Sequence, residues 1–146
     1  MSSNEKKIVV GVDGSEPSLA ALRWAADAAG KHGCDLVVLK AWLASAPPPT
    51  GPSGTYAVRE DASQSADVAQ RQLLAAIGDV LGEDPPIVVL PVVREGNTAK
   101  LLIDASASAE MLVVGTRGLG GFAGLMLGSV SQHVAVHAAC TVVIVR

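Results

Sequence analysis

Several short runs in this chain are apolar at every position, among them Ile-Val-Val, Leu-Val-Val-Leu and Val-Val-Ile-Val. A strand with one wet face alternates apolar and polar residues, so an unbroken run belongs to a strand buried on both faces. A parallel sheet covered by helices on either side supplies that environment. Five strands are read this way: Ile8–Val12, Leu36–Ala41, Ile87–Val93, Met111–Val114 and Val142–Val145. Aromatic residues make up only 3% of the chain, so Val, Leu, Ile and Ala must fill the core. The 146 residues match one domain, and no internal repeat divides them.

Helical spacing fills the intervals. The first helix is expected over about Ser15 to Lys31, with Leu19, Leu22, Ala26 and Ala29 on one face. Ser15 is suited to cap it, Pro17 fits its first turn, and Gly33 lies just past its end. The second spans about Ala62 to Leu81, before Gly82 and Pro85-Pro86. The third starts at the cap-like Asn97, and the fourth runs from near Ser129 to Ala138. The alternation predicts an α/β fold, a three-layer sandwich with a five-stranded parallel sheet and right-handed crossovers. Ala44–Asp61, with Pro47-Pro48-Pro49, Gly51, Pro52 and Gly54, breaks the rhythm and is expected to be a flexible loop.

Eleven basic against 14 acidic residues give a net charge of −3, and the basic residues are scattered. Without a basic stripe, nucleic acid is an unsuitable partner. The opening residues show no signal-peptide pattern, and no apolar run reaches the roughly 18 residues needed to span a bilayer. A cytoplasmic protein is therefore expected. Cys34 and Cys140 are too few for a disulfide scaffold or a cysteine-based zinc site. His32, His133 and His137 form no ligand set at metalloprotease spacing and are read as packing or surface residues.

Ligands of open α/β sheets sit beyond the carboxyl ends of the strands, where the winding reverses. Val12-Asp13-Gly14-Ser15 leaves the first strand and Gly115-Thr116-Arg117-Gly118 the fourth. Six of the 15 glycines crowd between Gly115 and Gly128. Glycines admit close backbone approach to a ligand, and the loop feeds a helix whose first N–H groups have no partners within it. These donors, with the Ser129 and Ser131 hydroxyls, suit a phosphate group at an affinity near micromolar, about −8 kcal/mol. A P-loop needs Gly-Lys-Ser/Thr, which does not occur, and Gly118-x-Gly120-x-x-Ala123 lacks the setting of a dinucleotide fingerprint.

Four features together resemble the universal stress protein family over essentially the whole length. They are Ile-Val-Val-Gly-Val-Asp13-Gly-Ser, Leu-Val-Val-Gly115, the spacing Gly115-x2-Gly118-x9-Gly128-Ser129, and the closing Val-Val-Ile-Val-Arg146. The glycine spacing is that of the ATP-binding subgroup. The resemblance implies strand order 3-2-1-4-5, an adenine-nucleotide alpha-hydrolase-like fold, and ATP bound across strands one and four. It implies that Asp13 meets the ribose or a metal-bound phosphate region, with Mg2+ or Mn2+ as the metal. Main chain at Ala41 would line the adenine pocket, and Gly115 would meet the ribose. Gly118, Gly128, Ser129, Val130 and Ser131 would hold the phosphates; Arg117 stands at a position that varies. Ala-Cys140-Thr141 replaces a Cys-Pro pair common in the family.

In that order the strands after Cys34 and Cys140 lie about 14 Å apart. This is beyond the ~7 Å reach of a disulfide, so none is expected. Val142–Val145 would be an apolar edge strand, and the resemblance implies a two-fold homodimer through it. Two residues have plain structural readings as well. Asp13 could be a turn residue at the start of a helix, and Ser129 could be an N-cap, as a Ser before a helix usually is. The function expected is a nucleotide-dependent regulatory or stress-response module. A slow ATPase or self-phosphorylating enzyme and a structural dimer without nucleotide are the alternatives; no base for phosphoryl transfer is visible.

Overall fold

The computed structural model describes residues 5–43, 65–116 and 127–146. Strand and helix alternate as β1 (Lys7–Gly11), α1 (Glu16–His32), β2 (Asp35–Trp42), α2 (Ser65–Leu81) and β3 (Val89–Glu95). Then follow α3 (Thr98–Ser106), β4 (Met111–Gly115), α4 (Ser129–His137) and β5 (Thr141–Val145). Every neighbouring pair is parallel, and the order is β3-β2-β1-β4-β5. This is the expected topology. The segment Ala44–Asp61, expected as a loop, lies outside the described residues.

The unbroken apolar runs have the predicted cause. Ile8, Val9 and Val10 are consecutive and all buried, yet their side chains serve different layers. Ile8, Val10, Leu36, Val38 and Val113 pack with Ala21, Leu22 and Ala25 of α1 and Leu73 of α2. Val9, Leu39, Leu112 and Val114 pack with Leu102 of α3 and Val134 of α4. Successive residues of a strand point to opposite faces, so each run feeds both cores.

Local chemistry sets the helix ends. The Ser15 hydroxyl accepts a hydrogen bond from the Ser18 N–H, and left-handed Gly33 closes α1. The Asn97 side-chain oxygen accepts from the Lys100 N–H at 3.0 Å and opens α3. Ser106, buried, accepts from the Ala139 N–H at 2.8 Å and ties the end of α3 to the approach of β5.

Strand β3 is displaced two residues beyond its expected span. The ladder begins with Leu36 opposite Val89 and continues to Trp42 opposite Glu95. Ile87 instead packs against the α1–α2 core. Arg94 and Glu95 are exposed, so the edge strand runs on through polar residues that hydropathy alone reads as loop. Pro91 is tolerated for a definite reason. The Leu36 N–H donates to Val88 and the Gly96 N–H to Trp42, so even-numbered residues of β3 face β2. The proline nitrogen therefore faces away from β2, and no bond of that ladder is lost.

Cys34 and Cys140 are free thiols, as expected from strands three places apart in the sheet. Burial, then the Glu110 carboxylate, pushes both thiols above their ordinary range. No helix among the described residues is long and apolar enough to cross a membrane.

Candidate functional site

The chain winds outward from β1 to β3 and then returns to add β4 on the other side of β1. The reversal therefore falls between β1 and β4, the place where open α/β sheets bind ligands. Three described segments meet this end of the sheet: the turn into α1, the end of β4 with the start of α4, and the ends of β2 and β3.

At the first, Val12 is buried and its N–H donates to the Leu39 carbonyl at 3.0 Å. Asp13 Oδ1 then accepts from the Ser15 N–H at 2.9 Å and from the Ser15 hydroxyl at 2.6 Å. This is an Asx turn, the local arrangement that makes Asp common before helices. Gly14 between them has φ +91°, a conformation that a side chain would strain.

At the second, Gly115 carries a steric requirement. A Cβ added to it would lie 2.6 Å from the carbonyl carbon of Pro17 and 2.7 Å from its oxygen. Only a residue without a side chain lets the first turn of α1 pack over the end of β4. The link to α4 is by hydrogen bonds. Ser131 is buried, and its hydroxyl lies 2.6 Å from the Gly115 carbonyl and 3.2 Å from that of Thr116. The Gly128 N–H donates to the Thr116 carbonyl at 2.8 Å, and the Thr116 N–H to Val145 at 3.0 Å.

These bonds correct the expected cap. The Gln132 N–H donates to the Gly128 carbonyl at 3.0 Å, so the N-cap is Gly128 and Ser129 is the first helical residue. Thr116 fixes Gly128 in the extended conformation that a cap requires, one residue earlier than the serine. The amides of Ser129, Val130 and Ser131 precede the first intrahelical bond and form the donor end of α4. Arg117 and Gly118 lie outside the described residues.

Beside this helix end is a cavity of about 350 Å3. Its walls are Ala41, Trp42 and Leu43 from the end of β2, Gly96 to Ala99 from the start of α3, and Ser129, Val130 and His133 from α4. The structure thus gathers Ala41, Ser129 and Val130 around one space, while Asp13, Gly14 and Ser15 belong to the α1 turn across the reversal. Sequence reasoning missed Asn97, Thr98 and His133 as wall residues. Their available signal was position: Asn97 and Thr98 follow β3 at the same sheet end as Asp13 and Gly115. His133 lies one turn below Ser129. His133 and His137 are 6.1 Å apart between ring centres. No group of three or more His, Cys, Asp or Glu among the described residues is placed to hold a metal.

A three-layer α/β sandwich with an open donor helix end beside a cavity of this size has the layout common to small-molecule sites. Comparison makes this specific. The model of the universal stress protein family matches residues 5–146, and the chain belongs to that family. It is 37% identical over 147 residues to a universal stress protein of Mycolicibacterium smegmatis, covering 99% of this chain and 49% of the relative. The chain spans about half the length of the curated relatives it matches. Universal stress protein UspA from Lactobacillus plantarum shares the fold at a TM-score of 0.78 and 22% identity, covering 99% of this chain and 100% of that one. A universal stress protein solved in complex with cAMP matches at a TM-score of 0.58 and 28% identity, covering 97% and 96%.

Proposed function

We propose that the chain binds an adenine nucleotide, ATP foremost, and acts as a nucleotide-dependent regulatory or stress-response module. One observation carries the reading: the donor end of α4, fixed to β4 through Ser131 and Gly128, borders a cavity of about 350 Å3. That volume lies within the range of small-molecule pockets. The cAMP complex of a relative supports an adenine nucleotide as the occupant.

In this reading residues 1–146 work as one domain, and the Ser129, Val130 and Ser131 amides hold phosphate oxygens. Gly128 keeps the approach open. The Ser131 hydroxyl, engaged with β4, sets the helix rather than gripping the ligand. Ala41 main chain lines the base, and Leu43, 63% exposed at the cavity, offers it an apolar surface. Asp13, Gly14 and Ser15, with Val12, Gly115 and Thr116, form the ribose side. Mg2+ usually keeps several waters and takes one or two carboxylates together with substrate phosphates. A single Asp13 carboxylate fits that role for Mg2+ or Mn2+, and the metal would neutralise phosphate charge.

Denaturing freshly purified protein should release ATP or another adenine nucleotide detectable by chromatography. Protein that releases none should gain thermal stability on ATP titration. At 100-fold excess over Kd the gain is about 2.7 kcal/mol, or roughly 5–10 °C. Absence of both the release and the shift would sink the reading. Among the described residues the half-buried β5 strand pairs with β4 alone, and it is proposed to pair across a two-fold axis through Val142–Val145. Light scattering at micromolar concentration should give the mass of a dimer, and a monomer mass would refute that pairing.

A further inference from the structure

We infer that His133 and His137 form a two-imidazole chelate for a divalent transition metal, Ni2+, Cu2+ or Zn2+, on the exposed face of α4. The inference is independent of the nucleotide reading. The two histidines stand four residues apart on α4, both exposed, with ring centres 6.1 Å apart and ring planes inclined by 36°. Residues at that spacing share one helix face, and zinc is held by histidine pairs so spaced. A metal bonded at about 2.0–2.1 Å to one nitrogen of each ring lies roughly 3.2 Å from either ring centre, so two such centres are at most about 6.4 Å apart. The observed spacing is inside that limit. Rotation of exposed side chains can close the pair on a metal without moving the helix.

Local chemistry supports the pair. His133 Nδ1 lies 3.1 Å from the Ser129 carbonyl oxygen. A carbonyl can only accept, so the neutral ring carries its proton on Nδ1 and keeps the Nε2 lone pair for a metal. A backbone carbonyl on the second ring nitrogen is a usual support of a metal-binding histidine. His137 is the last residue of α4, where the negative end of the helix dipole favours a cation, and Ser129–His137 contains no Lys or Arg to repel one. Val134, buried, stands where His-Glu-x-x-His hydrolases carry their general base, so the pair binds a metal without hydrolytic machinery. Two protein ligands leave the other coordination positions to water. Imidazole suits Ni2+, Cu2+ and Zn2+, whereas Mg2+ prefers oxygen, which separates this pair from the carboxylate role proposed for Asp13.

The test is calorimetric titration of the full chain, without an affinity tag, with Ni2+ alone. One Ni2+ should bind per chain. His133→Gln and His137→Gln should each weaken that binding at least about tenfold, because losing either ring leaves a single ligand and no chelate. His32→Gln, at the one other histidine of the chain, should leave it unchanged. Melting curves that match the intact protein in the absence of metal would show that all three variants fold, as substitutions on exposed side chains should allow. Failure of the intact chain to bind Ni2+ overturns the inference. So does binding that survives His137→Gln undiminished, or binding that His32→Gln abolishes. The titration contains no nucleotide, so its failure leaves the nucleotide reading standing.

Discussion

Replacing Gly115 by Ala is expected to destabilise the protein by about 3 kcal/mol, the upper end of the range for overpacking a well-filled interior. The added methyl would sit 2.6 Å from the Pro17 carbonyl carbon and 2.9 Å from its Cβ. No rotamer change relieves a clash with backbone, so α1 or β4 must move. Gly11 provides an internal comparison. A Cβ there meets Leu102 Cδ1 at 2.9 Å, the far end of a side chain that can turn aside, and Gly11→Ala should cost distinctly less. Urea denaturation of both variants separates the cases. Equal stabilities would show that the Pro17 approach is not the constraint.

The same substitution bears on the site. Gly115 accepts the Ser131 hydroxyl, and its strand end holds Thr116, whose carbonyl fixes Gly128. A shift of β4 away from α1 would be passed directly to the donor end of α4. Loss of stability and loss of nucleotide binding should therefore appear together in Gly115→Ala.

How much of this was legible in the sequence depends on the range of each interaction. Ser15, Gly33 and Asn97 act within three or four residues of their own position, and their roles follow from residue type and spacing. The unbroken strands were legible because burial on both faces leaves a compositional mark. The strand order came from the family resemblance, since apolar runs alone do not say which strands are neighbours. Gly115 was read as a ligand contact, whereas the structure adds a demand from Pro17, nearly a hundred residues earlier in the chain. The resemblance assigns Ser131 to holding the phosphates, and its structural partner stays hidden for the same reason: Gly115 is 16 positions away. The cap moved from Ser129 to Gly128 because a tertiary bond to Thr116 outweighed the usual preference for serine. The sequence places His133 among packing or surface residues, because no local pattern marks a histidine whose ring meets a carbonyl of its own helix beside a cavity.

Gly128→Val should abolish the thermal shift produced by ATP while leaving the fold in place. The cap residue has φ −68° and ψ 166°, an extended conformation open to valine, so its backbone can stay where it is. Its N–H is already committed to Thr116, so the bond that anchors the helix survives the substitution. The expected cost to stability is that of a poorer cap, about 1 kcal/mol. Binding is affected differently. The branched side chain would project beside the amides of Ser129, Val130 and Ser131, in the space a phosphate oxygen must enter to reach them. Displacing the anion even one or two ångströms forfeits several charge-assisted bonds worth about 1.5–3 kcal/mol each. A loss of at least a hundredfold in affinity follows, since each tenfold step is about 1.4 kcal/mol. Gly128→Val that melts near the intact protein yet gains no stability from ATP would locate the phosphate at α4. Retention of the full shift would place it elsewhere.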